Sequence, residues 1–160
     1  MKTFSIGIIL GLFGAVAVAI SFALQWPTWV MFVTWVSYYL FGKTLKTSLP
    51  VFIQIALGMV MGILIQATGK WLSEYFGALG LPVAVFFFIG SLAYISQLKK
   101  LNSIPAWFLG LIIFFGVHPP IAVKSIMELF IPIVAGFLFA WFNDSAVQQV
   151  MRKNQLINQH

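Results

Sequence analysis

Six runs of apolar residues, separated by polar or proline-marked breaks, organise this chain. They cover Ser5–Leu24, Pro27–Gly42, Pro50–Thr68, Pro82–Ser96, Pro105–Val117 and Leu129–Phe142. None shows the two-residue alternation of a barrel strand. A segment surrounded by hydrocarbon must satisfy its own backbone, so the runs predict helices. A spanning helix needs about 20 apolar residues. The first and third runs come close to that length. The other four are shorter, and either borrow flanking residues such as Trp26, Leu101 and Ile126 or are re-entrant. The pattern predicts an all-α polytopic membrane protein with about six transmembrane helices: a single transmembrane domain over 1–142, then a polar, Gln- and Asn-rich cytoplasmic tail over 143–160 that reads as a frayed helix end. Lys70–Phe76 reads as a short amphipathic stretch at the outer surface. Lys2 and the small residues around Ser21 also fit a cleaved signal peptide. The long Gly- and Ala-rich apolar stretch favours a retained first span instead.

Composition agrees with lipid as the medium. The chain has 160 residues, 61% apolar and 8% charged. A soluble domain carries about three times that charge density. Cysteine is absent, which removes disulfides, thiolate metal sites and thiol catalysis together. Nine basic residues against three acidic ones leave a net charge of +6. No basic run or nucleic-acid motif accompanies the excess, so it reads as an orientation signal, and nucleic acid is not an expected partner. With the amino terminus inside, Lys2, Lys43, Lys46, Lys99, Lys100, Arg152 and Lys153 gather on the inner side, against Lys70 and Lys124 outside. That bias predicts both termini in the cytoplasm. Trp26, Trp29, Trp71, Trp107 and Trp141 fall near predicted span ends, where amphipathic rings anchor, and Trp35 lies mid-span.

Pro27 and Pro82 begin the second and fourth runs, and Pro50 and Pro105 the third and fifth, both pairs 55 residues apart. Aligning 24–50 on 79–105 also pairs Leu24 with Leu79, Val30 with Val85, Phe32 with Phe87, Tyr39 with Tyr94 and Ser48 with Ser103. Two readings stand side by side: three helical-hairpin repeats, or prolines that simply mark helix starts.

The third run carries Gln54, Gly58, Gly62 and Gln66 at intervals of four, a ridge that drifts roughly 120° and about 18 Å along a helix. It is a pore stripe or a packing stripe: small residues let helices approach and amides bond across the contact, while a polar strip can line a path. Gly7, Gly11, Gly14 and Ser21 form a similar stripe in the first run. Thr34, Ser37 and Tyr39, with Ser91 and Tyr94, cluster towards the inner ends of their runs as a candidate polar vestibule, and Tyr38 accompanies them. Interfacial anchoring is the other reading for the tyrosines. His118, followed by two prolines, is a candidate outer gate or merely a helix end. His160 is terminal. The histidines and few carboxylates make no metal site, and no cofactor is expected.

No Asp, Glu, Lys or Arg falls inside the six runs, Glu128 being nearest. Ion-coupled carriers and enzymes need such groups held together at depth, so neither is expected. The remaining expectations are a channel or facilitator for a small neutral solute, alone or as a homo-oligomer, and a non-transporting scaffold or partner subunit of a larger membrane complex. The aromatic residues Trp29, Tyr38 and Tyr39, the stretch Ser103–Gly110, and Ile131–Pro132 leading into Gly136–Phe139 resemble the small bacterial inner-membrane family typified by YcdZ, whose function is unknown. Ala106 stands where that family carries Gly. The resemblance implies a polytopic fold in the bacterial inner membrane and transfers no catalytic residue.

Overall fold

The computed structural model describes residues 2–157. Among them every regular element is helical: α1 Lys2–Ala23, α2 Thr28–Leu40, α3 Leu45–Phe76, a 3-10 turn at Gly77–Leu79, α4 Gly80–Ile95, α5 Ile104–Val117 and α6 Val123–Ile157. Three helical stretches are long and apolar enough to cross a membrane: Thr3–Ala23, Leu45–Ile95 (α3, the turn and α4) and Val123–Lys153. The shorter α5 is apolar throughout. Of the α1 side chains described, only Ala17 and Ser21 are buried.

Two boundaries differ from the sequence reading. The third run was expected to open at Pro50, yet α3 begins at Leu45. Thr44 and Thr47 explain this, because each hydroxyl accepts the other residue's backbone N–H (3.1 and 3.3 Å), a reciprocal cap one turn ahead of the proline. Pro50 therefore lies inside the helix. The sixth run was expected to open at Leu129 and to fray after Phe142, whereas α6 runs from Val123 to Ile157 through Pro132. The stretch after Phe142 holds three Gln with single Ala, Met, Arg, Lys and Leu residues, all good helix formers, and neither Gly nor Pro interrupts it before Ile157. The paired prolines also hold unlike positions. Pro27 is the N-cap of α2, Pro82 lies in the first turn of α4, Pro50 is interior to α3 and Pro105 opens α5.

The chain divides into two compact units. The first holds α1, α2, the start of α3 and α6 from Met127 on. Its core contains Ala17, Met31, Trp35, Ile133 and Ala140. The Phe139 ring meets Phe13 edge-on at 6.4 Å and lies 6.1 Å from Trp35. The turn from α1 to α2 is tied by the buried Ser21, whose hydroxyl lies 2.5 Å from that of Thr28. Gly136 of α6 sits so close to α2 that an added Cβ would collide with the Thr34 hydroxyl and the Met31 carbonyl oxygen.

The second unit runs from Leu49 to Ile126. Met61 and Ile65 of α3, Ala84 and Leu92 of α4, and Trp107 and Leu111 of α5 form its core. Trp107, expected near a span end, lies in the first turn of α5. It is buried, with its Nε1–H donating to the Leu101 carbonyl at 3.2 Å, because that turn faces α3 and α4.

Candidate functional site

The α3 stripe is drawn into a helix contact. Gly58 and Gly110 meet where α3 crosses α5. A Cβ on Gly58 would strike the Trp107 carbonyl oxygen, and one on Gly110 would strike the Ile55 carbonyl oxygen. A Cβ on Gly62 would press into the Phe114 ring. Such backbone-to-backbone approach is what small residues permit between helices packed without a hydrophobic drive from water. Gln54, 2% exposed, closes the same contact. Its Oε1 accepts the Ser103 N–H at 2.7 Å and its Nε2 donates to the Pro50 carbonyl at 3.1 Å. The first bond satisfies a backbone donor at the start of α5, where no side chain of that helix supplies a cap. Gln66, three turns along, is only half-buried, as the drift of a four-residue ridge requires.

The five vestibule residues divide between the units. Thr34 and Ser37 are buried, and their hydroxyls turn back onto their own helix. Thr34 donates towards the Val30 and Met31 carbonyls (3.1 and 3.0 Å), and Ser37 donates to the Thr34 carbonyl (2.7 Å). Tyr39 donates instead to the Asn143 Oδ1 at 2.7 Å. In the second unit Ser91 donates to the Phe88 carbonyl at 2.6 Å and borders a cavity of about 280 Å³ whose other walls are Leu, Val, Met, Phe, Ile and Trp side chains. Tyr94 is 77% exposed.

His118 caps the end of α5 in the left-handed conformation (φ 50°, ψ 52°), with its N–H bonded to the Phe114 carbonyl at 2.9 Å. Its exposed ring lies 6.3 Å from that of Phe115. This is the geometry of a helix stop ahead of two prolines.

A polar cluster that the sequence reading assigned to the polar tail and to the candidate vestibule is enclosed by α2 and α6. Asn143 is fully buried and Asp144 is 7% exposed. The Tyr38 hydroxyl has the Lys43 carbonyl at 2.7 Å and the Asp144 Oδ2 at 3.4 Å. Having one proton, it donates to the nearer. Gln148 donates to the same Oδ2 at 2.7 Å. The Asn143 Nδ2 has no acceptor, the one such buried side-chain atom among the described residues. A signal was present in the sequence. Gly136, Ala140, Asn143 and Asp144 recur at three- and four-residue steps, continuing the buried face of α6 past its apolar run. Lys43, with Gly42 in a turn of positive φ, holds its ammonium 5.3 Å over the Tyr39 ring.

Among the described residues no three His, Cys, Asp or Glu side chains gather where a metal ion could sit. No curated protein and no solved structure matches the chain. The resemblance seen in the sequence is met at the level of a family whose function is unknown, over nearly the whole length and across both units. A family model described as "Protein of unknown function (DUF1097)" matches residues 7–148, and the chain belongs to that family.

Proposed function

We propose that this protein is a non-enzymatic, non-transporting scaffold or subunit of a membrane complex, with six spans and both termini in the cytoplasm. One observation carries the reading. The small and polar residues at depth that would have lined a path are engaged in holding the chain's own helices: Gln54 on Ser103 and Pro50, Gly58 on Gly110, Gly62 on Phe114, and Thr34 beside Gly136. Seven of the nine basic residues on one side support the threading, in which successive helices form three hairpins. The bilayer is the surrounding solvent, and a second copy of this chain is the expected partner, α1 being a barely buried helix whose glycines face open space. Kinship with the YcdZ-type proteins of the bacterial inner membrane belongs to the same reading. Extraction in a mild detergent followed by size measurement tests it. The scaffold predicts a stoichiometric homo-oligomer or a complex with a second membrane protein, and a monodisperse monomer at membrane-like concentration refutes it.

A second reading, a passage for a small neutral solute, draws on the unpaired Asn143 amide, a buried donor where a small polar molecule would gain a hydrogen bond. Swelling of liposomes containing the protein in amides, alcohols and polyols separates the two. Permeability above empty vesicles favours the passage, and its absence for every solute leaves the scaffold.

A further inference from the structure

The turn between α4 and α5 carries two adjacent lysines. Lys99 and Lys100 are both exposed, and neither pairs with a carboxylate among the described residues. They stand over a cavity of about 600 Å³ that lies wholly within the second unit. That volume falls in the usual range for a small-molecule site, about 300–1,000 Å³. Asn102 and Gln54 complete its polar side, and Leu49 and Ile53 form an apolar wall.

The polar side favours one sign of charge. No lining residue is acidic. The lysines offer ammonium donors, and Asn102 adds a carboxamide. Gln54, 2% exposed, gives one Nε2 hydrogen to Pro50, and its second has no partner among the described residues. α5 begins beside the cavity with no side-chain cap, so its partly positive end adds to the field. An anion with several acceptor oxygens answers this set of donors. A small free anion would leave the Leu49 and Ile53 wall uncovered, whereas an amphiphile with a phosphate head and acyl chains covers both sides.

We propose that this cavity binds an anionic phospholipid: Lys99 and Lys100 hold the phosphate, Asn102 and Gln54 donate to its oxygens, and the first methylenes of the acyl chains lie on Leu49 and Ile53. The site rests on the membrane reading above and is independent of whether the protein is a scaffold or a passage. In the proposed threading the lysines face the cytoplasm, so the lipid comes from the inner leaflet.

The test uses the full chain in detergent micelles, titrated with phosphatidylglycerol, with phosphatidylcholine and with inorganic phosphate, bound molecules being counted by native mass spectrometry. Phosphatidylglycerol is expected to bind and phosphatidylcholine to bind far more weakly. Each basic residue near an anionic headgroup contributes roughly fivefold in affinity, so Lys99→Gln with Lys100→Gln weakens binding on the order of 25-fold. A control pair, Lys46→Gln with Arg152→Gln, makes the same change in charge elsewhere and is expected to leave affinity within about twofold. Ile53→Trp, at a half-exposed position, fills the apolar wall and is expected to expel the lipid from a protein that still melts cooperatively. Equal binding of the two lipids overturns the proposal, and so does an equal loss in the control pair, which would mean diffuse charge attraction. Displacement of phosphatidylglycerol by inorganic phosphate at the same concentration overturns the lipid assignment in favour of a soluble anion. Recovery of the chain in the soluble fraction would refute the membrane reading instead, and is read separately.

Discussion

Replacing Gly58 by Ala is the sharpest test of the α3–α5 crossing. The new Cβ would overlap the Trp107 carbonyl oxygen and lie 3.0 Å from its carbon and 3.1 Å from the Gly110 Cα. All three are backbone atoms, so no rotamer relieves the clash and the helices must part. Inserting a methyl group into a packed contact of this kind costs about 1–3 kcal/mol. Parting the helices also stretches the bond from the Ser103 N–H to Gln54, now 2.7 Å. Weakening it in this way adds about 1 kcal/mol. The sum, about 2–4 kcal/mol, corresponds to a fall in melting temperature of roughly 5–15 °C for a chain of this size. Gly90→Ala, in the interior of α4, is the internal control, because nothing lies within 4 Å of a Cβ there. It removes a helix-interior glycine without a clash and is expected to be neutral or stabilising by up to about 1 kcal/mol. Thermal unfolding of the purified variants in one detergent, followed by tryptophan fluorescence, measures both. If Gly58→Ala melts with the wild type, or no lower than Gly90→Ala, the close crossing is wrong.

Three further outcomes follow from the same contacts. Gln54→Leu keeps the volume but leaves the Ser103 N–H without its acceptor, and is expected to destabilise by about 1–3 kcal/mol in the same melt. For Tyr39 and Asn143, a double-mutant cycle with Tyr39→Phe and Asn143→Leu is expected to give a coupling of about 0.5–1.5 kcal/mol, and additive effects would remove their hydrogen bond. Reporter fusions after Lys46 and after Lys100, and at the carboxyl terminus, are expected to report one common side, and a split between the two lysine pairs would break the six-span threading.

That the helices are apolar enough to cross a membrane was legible from residues alone, since composition is a sum over the chain that folding does not alter: 61% of the residues are apolar and 8% charged. The positions of the helices were legible for the same local reason, because an apolar run shows where a backbone must close its own hydrogen bonds. Their ends were less so. At Pro50 a rule about prolines yielded to the Thr44–Thr47 cap, which both residues show only as an ordinary pair of threonines in sequence. Only the tertiary structure decided what each polar group does. The Gln54 stripe read as a packing face or a pore until Ser103, 49 residues away, was brought to it, and the Asn143–Asp144 pair read as tail until α2 covered it, with Tyr39 104 residues distant. Periodicity tells which face of a helix a residue occupies, but the partner on that face comes from elsewhere in the chain, and it is the partner that makes an amide or a carboxylate a contact, a site or a solvated end.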